Sequence, residues 1–196
     1  MTELSALVRQ ARSCRRYQED KRLSRQDLLD LIELARLTGT HRNSQELRFL
    51  PVWEQAQCDS LFPHLSFAAA LGPAGRPAAG QRPAAYIALL GQSREQDFLW
   101  VDAGMACQTM LLAAAERGWS GCILGGLRRD KLRPLLGLAD TDPPILLLLA
   151  LGFADEEIVL EEAGSGPDRC KYRREGRTHY VPKLPLSELV LERTPR

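Results

Sequence analysis

Between Asp97 and Arg117 the chain carries Ala, Met, Leu, Val and Cys on nearly every side of a helix, and this stretch constrains the fold more than any other. A helix at the surface of a globular protein keeps a polar face; one without it must be surrounded. Gly118 supplies its C-terminal stop. The rest of the chain therefore has to wrap a central helix, and 196 residues suffice for one such core. The expectation is a single domain over residues 1–196.

The flanking segments alternate in type. Glu3 to Arg12 places Leu4, Leu7 and Val8 on one helical face. Ser24 is an N-cap with Asp27 three residues on, followed by Leu28, Leu31, Ile32 and Ala35 on one stripe, with Gly39 as the expected stop. Thr40 to Gln45 is a loop by composition. Leu47 to Val52 reads as a strand, pushed toward an edge by Pro51. From Trp53 to Arg82 periodicity is poor: a short helix fits Leu61 to Leu71, and Gly72 to Gly80 is loop chemistry, so the segment is expected to be variable or lid-like. Ala84 to Leu90, Gly121 to Leu124 and Ile145 to Leu151 read as buried strands, and Arg128 to Leu136 as a helix stopped by Gly137. From Asp168 onward the tail is basic, with a last amphipathic turn at Leu186, Leu189 and Val190.

Several function classes are disfavoured. Twenty-six Lys and Arg against 25 Asp and Glu leave a net charge of +1, which gives no global field for nucleic acid or an anionic membrane. The aliphatic run Ile145 to Leu151 is far below the ~20 residues of a membrane span, and Met1-Thr2-Glu3-Leu4 leads into polar positions rather than a secretory core. Cys14, Cys58, Cys107, Cys122 and Cys170 form neither a C-x-x-C pair nor a zinc pattern, which suits a reducing cytoplasm. No G-x-G-x-x-G, Walker loop, G-x-S-x-G or H-E-x-x-H is present. His41, His64 and His179 stand far apart, and no metal site is expected.

What remains is a set of polar groups at the ends of elements. Arg12-Ser13-Cys14-Arg15-Arg16-Tyr17 gathers three guanidinium groups, whose forked donors match a phosphate. Asn43 and Gln45 follow the second helix, Ile123-Leu124-Gly125-Gly126 ends a strand, and Lys171 and Arg173 lie in the tail. Each also has a plain structural reading: a solvated charge run, a helix stop and turn, a tight turn, an exposed tail.

In this order the set resembles the nitroreductase family of flavin enzymes, over nearly the whole chain. Its opening R-S-x-R-x-[FY] segment meets Arg12 to Tyr17, its N-x-Q loop meets Asn43-Ser44-Gln45, and its long helix running into a short strand meets Asp102 to Gly126. The ending Lys171-Tyr172-Arg173 through His179 to Lys183 is similar to that of members of about 200 residues. Two positions depart from the pattern: Ala11 stands where many relatives have a further Arg, and Glu46-Leu47 replaces a common Pro-Trp pair.

The resemblance implies an α+β fold, with a central, mainly antiparallel sheet flanked by helices around a long buried helix, and a homodimer holding FMN non-covalently. Arg12, Ser13, Lys171 and Arg173 would hold the phosphate. Arg15 would lie at the pyrimidine edge, with Cys14 a small filler in the same loop. Asn43 and Gln45 would meet the polar rim, and Ile123, Leu124, Gly125 and Gly126 one face of the ring, with a backbone N–H toward N5. The implied activity is NAD(P)H-dependent reduction of nitroaromatic, quinone or related acceptors in a ping-pong hydride transfer; a flavin-sequestering dimer and a specialised flavin reductase or dehalogenase are the rivals. No side chain is expected to act as a catalytic acid or base, because the flavin carries the chemistry.

Overall fold

The structure is a computed structural model and describes residues 2–191. Its backbone contacts cluster into two compact units, one ending at Asp155 and the other beginning at Glu156.

The first unit contains α1 (Glu3–Gln10), α2 (Arg25–Arg36), β1 (Leu47–Val52), α3 (Gln55–Leu61), β2 (Ala85–Gly91), α4 (Gln96–Glu116), β3 (Ser120–Leu124), α5 (Arg129–Leu135) and β4 (Ile145–Gly152). The strands form one sheet in the order β1-β2-β4-β3, and each neighbouring pair is antiparallel. Every residue of β2 is buried, because both faces of the sheet are covered. Successive side chains alternate between those faces. Ile87 and Leu89 pack in a core with Leu28, Leu31, Met110 and Leu149. Tyr86, Ala88 and Leu90 pack in a second core with Leu61, Phe62, Phe67 and Leu148. Fully burying one such Leu contributes roughly 1.5–3 kcal/mol.

α2 begins with a full capping box: the Ser24 hydroxyl accepts from the Asp27 N–H, and the Asp27 carboxylate accepts from the Ser24 N–H. Its C-cap is Leu37 rather than a turn at Gly39, and the Thr38 hydroxyl donates to the Ala35 carbonyl at 2.6 Å. Gly118 and Gly137 do take the left-handed conformation (φ 74° and 67°) after α4 and α5.

Two further readings of the sequence differ from the structure. The stretch of poor periodicity contains α3, and the short helix expected at Leu61 to Leu71 is instead a 3-10 turn at Phe62–His64, an extended Leu65 bridged to Leu127, and the start of a 3-10 segment at Ala69–Gly75 that runs into the expected loop. Long-range pairing overrides local preference there, and Leu65 and Phe67 are buried as a result.

α4 packs on the sheet through Leu99, Ala103, Ala106, Cys107 and Met110, all buried. Its outer side carries apolar residues that remain accessible: Phe98, Trp100, Val101 and Met105 are each at least 44% exposed. Among the described residues this helix alone has the length and apolar composition to cross a membrane, and 56% of that window is buried inside the chain.

The second unit contains β5 (Glu157–Glu162), β6 (Arg173–Glu175), β7 (Thr178–Lys183) and α6 (Leu186–Leu189). Its sheet runs β5-β7-β6, parallel between β5 and β7 and antiparallel between β6 and β7. Arg174 and Glu156 form a buried ion pair there.

Candidate functional site

The arginine segment is held on the edge of β3. Ser13 forms a parallel bridge with Gly121, and the Cys14 N–H donates to the Gly121 carbonyl at 2.9 Å. Gly121 is required: a Cβ there would lie 2.7 Å from the Ala150 carbonyl oxygen. Cys14 and Tyr17 are fully buried, and the Tyr17 hydroxyl donates to the Cys14 carbonyl at 2.5 Å. These two side chains pin the segment to the core. Cys14 therefore lends the site main chain only, and its thiol contacts the Arg16 carbonyl at 3.2 Å.

Arg12 is half-buried. Its Nε is buried and meets no hydrogen-bond partner among the described residues. Withdrawing a donor from water without an acceptor is costly. Arg15 donates to the Ser13 carbonyl at 3.3 Å.

Further along the same strand, Ile123 is partly exposed while Leu124 is buried. The two expected contact residues thus divide, with Leu124 serving the core. The N–H groups of Gly125 and Gly126 donate to no acceptor among the described residues. At ~3.3 Å per residue, Gly125 lies about 13 Å along the strand from Gly121. An arginine cradle at one end and free main-chain donors at the other suit an elongated ligand with an anionic head.

Asn43 and Gln45 occupy a separate loop. Arg42, Asn43 and Gln45 have φ of 49°, 55° and 51°, a left-handed conformation that costs a non-glycine residue about 1–2 kcal/mol, less for Asn. Both expected site side chains are exposed, and Gln45 Nε2 donates to the Asn43 carbonyl at 3.3 Å. The loop is tied to α4. The His41 N–H donates to Asp102 (3.0 Å to Oδ1, 3.3 Å to Oδ2), and the His41 ring stacks on Phe98 with centroids 3.8 Å apart.

In the second unit Lys171 is exposed, and its side chain has no bonding partner among the described residues. Arg173 is engaged: it pairs with Glu161 and Glu175 and lies over the Tyr180 ring at 4.2 Å. Its hydrogen bonds to the accepting carboxylates of Glu161, then Glu175, raise its pKa above the ordinary value.

Sequence reasoning missed two contributors. Ser66 packs on Gly126, where a Cβ would lie 2.8 Å from Ser66 Cβ; nothing in the local sequence signals that pairing. Asp102 is 4% exposed, and its signal was available, since it is the one charged residue between Phe98 and Ala115. Among the described residues no cluster of metal-ligating side chains occurs.

The sequence matches the model of the nitroreductase family over residues 8–153. Solved structures share the fold. A proposed nitroreductase from Desulfovibrio desulfuricans in complex with FMN is 24% identical, with 100% of this chain and 99% of that one covered and a TM-score of 0.68. A second FMN complex, of a proposed nitroreductase from Exiguobacterium sibiricum, is 17% identical over 98% of each chain, with a TM-score of 0.70. A nitroreductase family protein from Clostridium difficile 630 is 22% identical over 100% of both chains, with a TM-score of 0.65. No curated protein matches the sequence. Since the family model spans well over half of its length, and the antiparallel sheet with its long central helix is the fold of these structures, the chain belongs to the nitroreductase family.

Proposed function

We propose that this protein binds FMN and is an oxidoreductase that takes hydride from NAD(P)H and delivers it to a nitroaromatic, quinone or related acceptor, the two substrates using one site in turn. One observation carries the reading: a buried Arg12 Nε without a protein partner and the free N–H groups of Gly125 and Gly126 lie along the edge and end of a single strand. Solved structures of this fold hold FMN. When bound, FMN supplies the hydride-accepting chemistry.

The chain's own groups then divide the work of binding and orientation. Arg12 and Ser13 hold the phosphate; in the second unit Lys171 offers an exposed cation, and Arg173 one already held by Glu161 and Glu175. Arg15 places a fixed cation at the pyrimidine edge, where negative charge gathers on reduction. Asn43 and Gln45 hydrogen-bond the polar rim. Ile123 covers ring surface, and Gly125 or Gly126 directs an N–H at N5. Cys14 and Leu124 support these groups from the core.

The exposed apolar residues of α4, with Leu4 and Val8 also exposed on α1, favour a homodimer, since exposed apolar surface is unfavourable in water. Residues 1–196 are read as one domain, in the reducing cytoplasm that cysteines outside any disulfide suit.

Purification tests the reading. A yellow protein whose flavin band bleaches under NADH or NADPH and returns with a nitroaromatic or quinone is expected. A colourless protein that takes up no FMN overturns it, and colour without NAD(P)H oxidation marks a flavin-holding protein instead.

A further inference from the structure

The loop bearing Asn43 and Gln45 is held by one face of α4 and its N-cap. Glu95, Phe98 and Asp102 recur at about one helical turn and each meets the loop. Glu95 Oε2 is 2.7 Å from His41 Nε2, and Glu95 Oε1 is 3.2 Å from the Arg42 guanidinium. The first contact is a close approach of the ring to the carboxylate, and Nε2 is buried without a hydrogen-bond partner among the described residues. Phe98 stacks on the His41 ring with the planes 11° apart. Asp102, in the interior, accepts the His41 N–H, its sole hydrogen-bond donor among the described residues.

A buried carboxylate given one backbone donor is poorly compensated as a stability device. It is well suited to holding a backbone that would otherwise relax. The left-handed residues Arg42, Asn43 and Gln45 begin one position beyond that hydrogen bond. Strained backbone of this kind persists only where its surroundings over-determine it.

We propose that Asp102 is a positioning residue for the flavin site. Through the His41 N–H it keeps the loop in its left-handed form, so that the Asn43 and Gln45 side chains are presented to the cofactor rim before the cofactor arrives. Asp102 touches neither flavin nor substrate. The inference rests on the FMN reading for its consequence and on the clamp geometry for its cause, and the two are tested separately.

The clamp is read without ligand by amide hydrogen exchange of residues 41–45 in the apoprotein. Asp102→Ala accelerates exchange there while the amides of β2 and β4 stay protected; Asp102→Asn, which keeps an acceptor for the His41 N–H, restores protection. The consequence is read by FMN titration. Asp102→Ala weakens FMN by about tenfold, the loss expected when one buried hydrogen bond is broken, and Asp102→Asn stays within ~3-fold.

In an Asn43→Ala, Gln45→Ala background Asp102→Ala adds less than ~2-fold, because residues acting through one another are not additive. His41→Pro provides a variant that leaves α4 intact. His41 opens a 3-10 turn after an extended Thr40, where proline fits, and removing its N–H reproduces the loss of affinity even if Asp102→Ala does not fold.

Unchanged exchange in Asp102→Ala and His41→Pro overturns the clamp. Equal losses of affinity with and without the Asn43 and Gln45 side chains overturn the positioning role and leave a general structural one. A wild-type protein that takes up no FMN overturns the flavin reading alone, with exchange still deciding the clamp.

Discussion

Ser66 lies against Gly126: its N–H donates to the Gly126 carbonyl at 2.9 Å, and a Cβ at position 126 would stand 2.8 Å from Ser66 Cβ. The turn is therefore closed to side chains on that flank, which keeps its main chain available to a ligand. Gly126→Ala should force the two segments apart at a cost of about 1–3 kcal/mol, seen as a fall in Tm of roughly 2–4 °C per kcal/mol for a chain of this size. Adding Ser66→Gly removes the obstructing Cβ and should recover most of that fall. A double variant no more stable than Gly126→Ala would place the strain elsewhere.

Arg12 sets binding against stability. With Nε buried and unpaired, Arg12→Met keeps the packing of the aliphatic stem and removes the uncompensated charge, so the apoprotein should melt higher by the equivalent of about 1–3 kcal/mol. FMN affinity should fall by about 10–100-fold, the range for charge-assisted hydrogen bonds. Arg173→Ala should cost less affinity than Arg12→Met, because Arg173 must leave Glu161 and Glu175 before it can serve a phosphate. Calorimetry of the apoproteins and flavin titration measure both halves; an apoprotein destabilised by Arg12→Met refutes the trade.

The parts of this fold legible in the sequence are those whose causes are local. The Ser24–Asp27 capping box sits within four residues, and the unbroken apolar runs of β2 and β4 follow from burial on both sheet faces. α3 was not legible: it has no side-chain cap, and its buried residues are Cys58 and Leu61, too few for a helical stripe. Its place comes from the second core, formed by residues distant in sequence. The tail read as a run of cations, but Arg173 and Arg174 are neutralised by acids of the same unit, and Gly176 (φ 58°) turns β6 into β7. For the proposed site, residue types at element ends pointed to the arginine segment and the glycine turn. Asp102 stood out as a lone charge in an apolar helix, but its partner, a backbone N–H 61 positions away, was not legible, because a main-chain donor leaves no mark on residue identity.

The exposed apolar side of α4 predicts the assembly. Val101 is 55% exposed in the single chain, where Val101→Asp should change stability by no more than ~0.5 kcal/mol. In a dimer closed through that side the same carboxylate is buried without a partner, which is strongly unfavourable. Sedimentation equilibrium should give a dimer for the wild type and a monomer for Val101→Asp. A monomeric wild type, or a variant that stays dimeric, removes α4 from the interface.

Two buried thiols predict how stability depends on alkaline pH. Burial pushes Cys58 up to about 11, with Arg22 opposing, and Cys107 up to about 12. Burial also raises the Tyr86 phenol. Each group ionises more readily in the unfolded chain, so above pH ~9 the folded state binds more protons than the unfolded state and stability falls as pH rises. The contribution is complete below the unfolded thiol pKa and is lost as pH climbs through the folded values. Urea midpoints should be flat on this account from pH 7 to 8.5 and decline from 9 to 11, and Cys107→Ala should shallow the decline after allowance for its constant packing loss. At pH 8 an alkylating reagent should modify the exposed Cys170 and spare Cys58 and Cys107, because at that pH a thiol near 11 is only ~0.1% thiolate and shielded besides. Rapid native-state alkylation of Cys107 would show that the α4 core opens far more often than its packing allows.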